Sequence, residues 1–475
     1  MLDAAVVGSG PNGLTAAVTL ARAGLEVRVF EAAESPGGGT RTEELTLPGF
    51  HHDVCSAVHP FGVGSPALAA LPLTDHGLEW LHPELALAHP LTDGSAAVLA
   101  RSVDETVASL GRDDGAWRRM VGPFLGRWSA LAGDVLRPIA MGPPRHPLLL
   151  ARFGVRAVWP AQLAVRAFRE DRTRMLFAGI AGHAIVPPTS PLTASVGLML
   201  ALAAHEVGWP VARGGSQAIA DALISYLESL GGGVETRTLV TTVGQLPSAR
   251  AYLFDVLPRD LAAIAADRLP GGYRAALRRY RQGPAVFKVD YALSEPVPWK
   301  AEEARRAATV HLASSLREIR RALSAVASGR PPDPPFLIAA QPTVVDPSRA
   351  PAGRHVLWAY GHVPRGWRGD LTGPIEDQIE RFAPGFRDLV LARSAWGPPQ
   401  LQAHNRSMAG GDIAGGAFQG RQVLFRPVVA RVPYATPDPA IFLCSAATPP
   451  GPGVHGMAGY LAAKVALRRL FGVTA

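Results

Sequence analysis

The first 31 residues constrain the fold of this chain more than any other stretch. The short apolar run 4–7 leads directly into residues 8–13, Gly-Ser-Gly-Pro-Asn-Gly, which match the pattern G-x-G-x-x-G. Residues 14–23 are rich in Ala and Leu and predict a buried helix, and residues 25–30 predict a second strand that ends at Glu31. This order of strand, glycine-rich turn, helix and strand predicts a Rossmann-type unit that binds a dinucleotide.

Each part of this unit has a physical role. Gly8 lets the chain turn tightly out of the strand, Gly10 lets a pyrophosphate approach the backbone, and Gly13 lets the helix pack against the sheet. The helix N-terminus offers free N–H groups and a partial positive charge to the phosphates. Glu31 stands where a carboxylate accepts hydrogen bonds from a ribose, which favours FAD or NAD over NADP.

A second glycine-rich stretch follows at 34–42, with the sequence ESPGGGTRT. Its three consecutive glycines leave backbone N–H groups free to face a ligand, and Arg41 can pair with a phosphate. We interpret this stretch as a second contact with the phosphates or a ribose. The alternative is a mobile surface loop.

The C-terminal region carries a further ligand signal. Residues 440–444 predict a strand, 445–459 (SAATPPGPGVHGMAG) a loop, and 460–471 a helix. This arrangement aims a second helix N-terminus at the ligand. A flavin benefits from such a terminus because its N1–C2=O edge becomes negative on reduction. The predicted cofactor is therefore FAD.

Composition limits the classes of function. A length of 475 residues predicts two or three domains. The net charge of +8 is carried almost entirely by arginine, which reflects either compositional bias or attraction to an anionic membrane or an acidic substrate. We find no nucleic-acid-binding module and expect no nucleic-acid partner. Cys55 and Cys444 are far apart, which argues against a dithiol redox centre and a Cys-rich zinc site and favours a reducing cytoplasm.

The apolar residues at the N-terminus belong to the glycine-rich motif and do not resemble a signal peptide. No run approaches the ~20 apolar residues that span a bilayer. Residues 137–169 contain six arginines, no acidic residue and Trp159. Three interpretations stay open for this segment: a helical lid over an apolar cavity, a peripheral membrane contact, or ordinary core packing with an arginine-rich solvent face.

Two further side chains are candidates for catalysis. His59 follows the apolar residues 54–58 and is positioned to face the cofactor, whereas the histidines of this stretch lack the second cluster that a metal site needs. Lys288 lies in a predicted strand, 283–293, and is one of three lysines in the chain. A buried lysine can shuttle a proton or assist reaction with oxygen. The alternative is a surface lysine paired with Asp290 or another acid.

Five blocks of sequence resemble the phytoene desaturase and amine oxidase superfamily of FAD enzymes, and most closely its phytoene-desaturase-like group with the PYROXD2-type oxidoreductases. These blocks are VVGSGPNGLTAA, SPGGGTRTEELTLPGF, GWPVARGGSQAIADAL, NRSMAGGDIAGG and CSAATPPGPGVHGMAGYLAA. The resemblance implies an α/β fold with a discontinuous GR2-type Rossmann FAD-binding domain over 1–75, 206–275 and 401–475. It also implies a second, α+β substrate domain over 76–205 and 276–400, with a mixed sheet and a helical cap.

The resemblance also implies site residues. Val240 would contact the adenine through its backbone, and Lys288 would correspond to the lysine that reaches the flavin N5 through water in amine oxidases. Many relatives read G-G-R in the second glycine motif, whereas here Gly39 follows Gly38, so the role of Arg41 is in doubt. The implied cofactor-binding residues are Gly8, Ser9, Gly10, Pro11, Asn12, Gly13, Glu31, Gly38, Gly39, Thr40, Arg41, Val240, Ser445, Gly453, Val454, His455, Gly456 and Met457.

The chain contains no second strand–GxGxxG–helix unit, so we expect no NAD(P)H domain. The leading hypothesis is an FAD-dependent dehydrogenase, desaturase or oxidase that transfers a hydride from a small apolar or amphipathic substrate to the flavin. Oxygen, a quinone or another acceptor would reoxidise the flavin. Two alternatives remain: a redox-neutral flavin-dependent isomerase of a polyene-like substrate, and a non-enzymatic lipid-binding protein similar to the Rab GDP-dissociation inhibitors.

Overall fold

The computed structural model describes residues 1–473, which form two separate main sheets and the helices around them. The strands are β1 (Leu2–Val7), β2 (Val27–Phe30), β3 (Thr42–Glu43), β4 (His52–Asp53), β5 (Trp80–Leu81), β6 (Leu85–Pro90), β7 (Ala96–Leu99), β8 (Val211–Ala212), β9 (Gly233–Glu235), β10 (Ala249–Phe254), β11 (Ala285–Leu293), β12 (Ala307–Leu312), β13 (Leu337–Ala340), β14 (His355–Val363), β15 (Val390–Trp396) and β16 (Ile441–Leu443).

The α-helices are α1 (Pro11–Ala21), α2 (Pro60–Val63), α3 (Val103–Ala108), α4 (Asp114–Val121), α5 (Trp128–Val135), α6 (Pro147–Ala157), α7 (Ala161–Ala164), α8 (Asp171–Ala181), α9 (Thr193–Glu206), α10 (Gln217–Ser229), α11 (Pro258–Ile264), α12 (Gly271–Arg278), α13 (Glu302–Arg306), α14 (Leu316–Ala327), α15 (Thr372–Phe382), α16 (Pro398–His404) and α17 (Met457–Ala466).

The first sheet is five-stranded and parallel, in the order β16-β10-β1-β2-β9. Helices α1, α10 and α17 cover one face, and α11 and α12 cover the other. Apolar side chains therefore project from both faces of β1, as expected for a buried parallel strand. Strands from the beginning, middle and end of the chain meet in this sheet, which is the discontinuous Rossmann architecture predicted from the sequence.

The second sheet is seven-stranded and mixed, in the order β15-β11-β14-β13-β12-β6-β7. All its pairs are antiparallel except β6 with β12. One face packs against α13 and α15, and the other lies beneath a helical cap that includes α8 and α9. Every residue of β11 is buried, so its alternating polar residues, Lys288 and Asp290, face the protein interior on the cap side. The α/β fold class is thus confirmed.

Local predictions failed at three places in this framework. We predicted a helix over 375–392 that is broken at Pro384-Gly385; α15 does end before this break, at Phe382, but an edge strand rather than a second helical part begins at Val390. We predicted a strand over 234–243, but β9 ends at Glu235. Strands β6 and β7 lie in a region where the sequence indicated helices and loops.

Within residues 1–473, no single helix has the length and apolar composition to cross a bilayer. One bent pair, Pro147–Ala157 with Ala161–Ala167, reaches the threshold by length and composition, but its two halves meet at 89°.

Candidate active site

A cavity of about 870 Å³ extends between the two sheets. One part of its wall comes from the glycine-rich turn after β1 and from the loop before α17. Another part comes from the capped face of the seven-stranded sheet and from α6 and α9. The two ends of the chain and its middle thus converge on one space, whose size suits a small-molecule or cofactor site.

The glycine-rich turn has the tight geometry that the sequence predicted. Gly8 has φ of +97°, and a Cβ at Gly13 would lie 2.0 Å from the Gly8 carbonyl oxygen. Gly8, Gly10, Pro11 and Asn12 line the cavity, and Asn12 Oδ1 is buried without a hydrogen-bond partner in the described chain. A backbone surface beside a helix N-terminus fits a dinucleotide pyrophosphate.

Glu31 lines the cavity at the end of β2. Its Oε2 accepts hydrogen bonds from the backbone N (2.9 Å) and the Oγ (2.6 Å) of Ser9, and its Oε1 accepts one from Ala33 N (2.8 Å). Ser9 does not line the cavity and instead holds this carboxylate in place. A carboxylate has about four acceptor positions, so Glu31 keeps capacity for a ribose hydroxyl.

The second glycine-rich stretch borders the same cavity through Gly38, Gly39 and Arg41, whereas Thr40 is buried behind them. The Arg41 Nη1 donates to the carbonyl oxygen of His404 (3.2 Å), and its Nε is buried without a partner in the described chain. Burial lowers the pKa of Arg41, partly offset by Glu31 and Glu43. A buried guanidinium with an unused N–H donor fits a phosphate, but the assignment of Arg41 to this contact stays a prediction.

Asp255 is a cavity residue that the sequence analysis missed. Its Oδ2 accepts a hydrogen bond from Gly13 N (2.9 Å) at the start of α1. Burial raises the pKa of Asp255 to about 7, and Glu31 contributes to the rise. A carboxyl group that is easily protonated can lie beside a phosphate without full charge repulsion. The sequence feature that could have identified Asp255 is an acidic residue directly after β10, a strand parallel to β1.

The loop before α17 contributes Ser445, Gly453, Val454 and His455 to the cavity wall. His455 Nδ1 accepts from the backbone N of Met457 (3.1 Å), so the proton of the neutral ring lies on Nε2. Burial lowers the pKa of His455 to about 4, and Nε2 has no partner in the described chain. This unused donor fits an acceptor group of a bound cofactor.

Gly456 and Met457 do not line the cavity but position its wall. Gly456 has φ of +64°, and a Cβ there would lie 2.3 Å from Thr15 Oγ1 on α1. Met457 begins α17, and a Cβ at Gly459 would lie 1.8 Å from the Asn12 carbonyl oxygen. Helices α1 and α17 therefore pack in direct backbone contact, which brings their two N-termini to the same site.

Val240 also lines the cavity, in an irregular segment rather than in the strand we predicted. Its neighbours Thr238, Leu239 and Thr241 line the same region. A backbone contact between Val240 and the adenine remains a prediction.

Lys288 is buried but is not among the cavity-lining residues. Its Nζ donates to the carbonyl oxygens of Val54 (2.7 Å) and Asp53 (3.1 Å) and pairs with Asp290 (2.9 Å). These contacts occupy all three N–H donors of an ammonium group. The pairing with Asp290 matches the alternative interpretation, although the pair is buried rather than at the surface. The geometry makes Lys288 a clamp on the segment that precedes Cys55–His59.

His59 lies in the cavity wall, as the sequence suggested. Ser216 Oγ donates to the Ser56 carbonyl oxygen, so it accepts from His59 Nε2 at 2.8 Å. Burial lowers the pKa of His59 to about 4, which keeps the ring neutral with an unpartnered Nδ1 acceptor. A direct catalytic role for His59 stays a prediction.

Beyond the cofactor segments, the cavity wall becomes apolar. Its side chains come from the cap and from the seven-stranded sheet: Phe153, Ile185, Met199, Leu200, Trp209, Ile338, Trp358 and Tyr360. Phe153 belongs to α6, so this arginine-rich helix covers the cavity with one face. On its opposite face Leu148 is 77% exposed and Val155 is 69% exposed. Among residues 1–473, no three His, Cys, Asp or Glu side chains are arranged to hold a metal ion.

Comparison with known proteins identifies chains that are similar to this one. Residues 6–71 match the model of an NAD(P)-binding Rossmann-like domain. The chain is 26% identical over 550 aligned residues to the pyridine nucleotide-disulfide oxidoreductase domain-containing protein 2 of Mus musculus, covering 98% of this chain and 94% of the mouse protein. It is 25% identical over 420 residues to the phytoene dehydrogenase of Streptomyces griseus, covering 82% of this chain and 77% of that enzyme.

The fold also matches a solved structure of putrescine oxidase, a double mutant, with a TM-score of 0.63, 17% identity and 99% of both chains covered. The dinucleotide-binding domain and the desaturase and oxidase relatives together point to FAD, in agreement with the prediction from the sequence. The resemblance drawn from the five sequence blocks is confirmed: the chain is similar over most of its length to an oxidoreductase-domain protein and to a phytoene dehydrogenase, and it has the fold of the amine oxidases.

Proposed function

We propose that this protein oxidises a small apolar or amphipathic molecule, as a dehydrogenase, desaturase or oxidase. The observation that carries the proposal is the continuity of one cavity between glycine-rich, phosphate-type segments and an apolar chamber. When bound, FAD would supply the hydride acceptor for this reaction. Oxygen, a quinone or another acceptor would complete the cycle.

The chain itself would contribute binding and orientation. The backbone at Gly10 and the N-terminus of α1 would hold the pyrophosphate, and Glu31 would hold a ribose. The N–H group at His455 Nε2 would donate to the cofactor from the C-terminal side. Because these groups come from two distant segments of the chain, cofactor binding would fix the N-terminal and C-terminal segments relative to each other.

The apolar chamber would orient the substrate and exclude water. Its wall is built largely from aromatic and aliphatic side chains, which favour an apolar substrate through burial of surface. Lys288 would act as a positioning residue, because its three bonds hold the Asp53–Val54 segment next to the wall residues Cys55 and His59.

The test is spectroscopic. We expect the purified protein to show the visible absorbance of an oxidised flavin, and we expect an apolar substrate to bleach it under anaerobic conditions. A colourless protein that cannot bind added FAD would refute the enzyme proposal and favour the lipid-binding alternative. Substrate conversion that requires reduced flavin but leaves its redox state unchanged would favour the isomerase alternative.

We also propose a peripheral membrane contact through the outer face of α6 and the turn after it. Leu148, Val155 and Trp159 are exposed there, with Trp159 52% accessible, and Arg145 and Arg152 lie on the same segment. Exposed apolar groups flanked by arginine favour an anionic lipid surface, and Phe153 on the inner face of α6 borders the cavity.

Co-sedimentation with vesicles tests this contact. The wild-type protein should sediment with vesicles that contain anionic lipid, and the double variant Leu148→Ser with Trp159→Ser should remain in the supernatant. Leu391→Ser removes an exposed leucine from the edge strand β15 and is the matched control. Equal sedimentation of all three proteins would contradict the proposed surface.

A further inference from the structure

One arginine in the cavity wall, Arg426, is buried without an acidic partner. It is only 3% exposed, and it lines the cavity together with two other arginines, Arg41 and Arg406. Arg41 lies 3.7 Å from Glu31, and Arg406 is exposed at the surface. In residues 1–473, no acidic side chain lies within 4.0 Å of the Arg426 guanidinium nitrogens. Arg426 is thus the cavity cation that the described chain leaves unpaired.

The hydrogen bonds of Arg426 hold its side chain but do not compensate its charge. Nε (3.2 Å) and Nη2 (2.6 Å) both donate to the hydroxyl oxygen of Tyr280. That hydroxyl donates in turn to the carbonyl oxygen of Gly415 (2.9 Å). Burial raises the pKa of Tyr280, so the phenol is neutral at pH 7. Nη1 makes no hydrogen bond within the part of the chain that the structure describes.

Asp412 is an acidic residue of the same cavity wall, but it does not form an ion pair with Arg426. Its Oδ2 accepts a hydrogen bond from Gly283 N (2.6 Å), and its Oδ1 accepts one from Ala414 N (2.8 Å). Burial raises the pKa of Asp412, and the charge of Arg426 opposes this rise. Backbone amides rather than the guanidinium therefore satisfy this carboxylate. A buried cation without a paired anion is costly, so the arrangement indicates that an anionic ligand completes it.

Arg426 lies beside the loop that follows β16, away from the glycine-rich turn. A Cβ at Gly451 in this loop would lie 2.5 Å from Arg426 Nη1, so the guanidinium lies against the loop backbone. Strand β16 is two strands from β1 in the five-stranded sheet. Because neighbouring strands lie ~4.8 Å apart, this edge of the sheet is about 10 Å from the turn after β1. A pyrophosphate held at that turn would leave Arg426 available for a different anionic group.

Apolar side chains border the cavity in the segments next to Arg426. Phe418 and Val423 come from the segment that precedes Arg426, and Pro450 and Pro452 flank the glycine that its guanidinium contacts. An anionic group bound to Arg426 would therefore have apolar surface beside it. This combination suits an amphipathic ligand, with one anionic end and an apolar body.

We propose that Arg426 binds a carboxylate group of the substrate and so selects amphipathic carboxylic acids over neutral apolar molecules. This inference rests on the proposed function, because it names a feature of the molecule that enters the same cavity. The two N–H groups of Nη1 and the second N–H of Nη2 remain available to carboxylate oxygens. A carboxylate bound there neutralises the guanidinium, whereas a neutral substrate leaves the cation buried and unpaired.

The test compares matched probes on the FAD-loaded protein. Straight-chain C6–C12 carboxylic acids and their methyl esters are titrated at pH 8, where the acids are ionised. Kd is measured from the perturbation of the flavin spectrum and by calorimetry. We expect the best acid to bind about tenfold or more tightly than its ester, because hydrogen bonds between charged groups are the stronger ones.

Variants locate the source of the preference. Arg426→Gln keeps an N–H donor but removes the charge, and it should reduce the acid-to-ester affinity ratio to about one. Arg426→Lys keeps the charge and should retain part of the preference. Arg421→Gln removes an exposed arginine from the same segment, so it is the matched control for net charge and should leave the ratio at the wild-type value. Arg406→Gln, at the exposed arginine of the cavity wall, should also leave the ratio unchanged.

The outcomes separate this inference from the proposed function. Equal affinity for acid and ester in the wild-type protein, a measurement that needs no variant, would overturn the role of Arg426 alone. Loss of the preference in Arg406→Gln but not in Arg426→Gln would do the same. Loss of bound FAD in Arg426→Gln, or a lower flavin reduction potential with an unchanged ratio, would overturn it in favour of contact with the cofactor. Failure of acids and esters alike to bind to a protein that retains FAD would overturn the proposed substrate class as well.

Discussion

The two main sheets contribute to the same cavity in different ways. The five-stranded sheet is apolar on both faces, and its chemistry lies in backbone groups at the ends of its strands. The seven-stranded sheet instead carries polar side chains across one buried face, including Lys288, Asp290 and His311. Under the proposed function, cofactor recognition would depend on where the chain can approach closely, and substrate recognition would depend on side chains at the buried face of the second sheet.

This contrast predicts different responses to mutation. A Cβ added at a tightly packed glycine of the cofactor half should clash with the backbone and abolish cofactor binding outright. A change in the substrate half should act through unpaired polar groups and reduce stability or selectivity by graded amounts. The following experiments test the contrast, beginning with the largest expected effect.

Gly13→Ala should abolish FAD retention. Its Cβ would lie 2.0 Å from the Gly8 carbonyl oxygen, and a backbone atom cannot rotate away. The flavin-to-protein ratio and the soluble yield measure the effect. Gly244→Ala is the matched control in the same domain, because nothing lies within 4 Å of its Cβ. A yellow, soluble Gly13→Ala protein would show that the α1–β1 contact is less tight than described.

Acidification below pH 6.5 should destabilise the protein steeply. Burial lowers the pKa of His59, His89 and His455 to about 4, so the folded state resists protons that the unfolded chain binds near pH 6.5. This contribution to stability is complete above pH 6.5 and is lost as the pH falls toward 4, by up to about 1.4 kcal/mol per pH unit for each histidine.

Thermal unfolding between pH 8 and pH 5 measures this loss. His89→Phe removes one of the titrating groups, so its Tm should fall less with acidification than that of the wild-type protein. Parallel curves for the two proteins would exclude His89 as a contributor.

Lys288→Met should destabilise the protein by about 3–5 kcal/mol, because it leaves Asp290 buried without its cation. Flavin content at low temperature should remain normal, since Nζ does not line the cavity. The double variant Lys288→Met with Asp290→Leu removes both charges and should recover part of the lost Tm. A stable single variant with slowed flavin reoxidation would instead restore a direct role for Lys288 at the cofactor.

Asp255→Asn should have the smallest effect and a distinctive pH dependence. Burial raises the pKa of Asp255 to about 7, so its contribution to stability is full below about pH 4 and is lost as the pH rises through 7. The Tm of the variant relative to that of the wild-type protein should therefore rise from pH 4 to pH 7 and then level off. Asp388→Asn, at an exposed site, is the control and should show no such trend.

The two halves also differed in how far the sequence predicted them. The glycine-rich turn, Glu31 and the loop before α17 were predictable because a dinucleotide imposes the same backbone requirements wherever it binds. Asp255 was not predicted, because its contact with Gly13, 242 residues away, depends on β10 lying beside β1. No local sequence pattern indicates that these two strands are neighbours.

The substrate half was less predictable because its important contacts are long-range and its burial is unusual. Lys288 attracted attention as a rare lysine, but its partners at Asp53 and Val54 lie 235 and 234 residues earlier. His89, His183 and His311 lie close together beneath the cap, but they come from two strands and a turn, so they look unrelated in the sequence. The first three residues of β15, 390–392, were predicted as helix because this half-exposed edge strand has no continuous apolar run.

The backbone contact between α1 and α17 has a consequence for the timing of assembly. The glycine-rich turn is synthesised before the wall formed by 445–455 and the helix that packs on Asn12, which follow more than 400 residues later. The edge of β1 that does not pair with β2 is also covered only after β10 has been made. The glycine-rich turn can thus complete its site only after the C-terminal wall has been made.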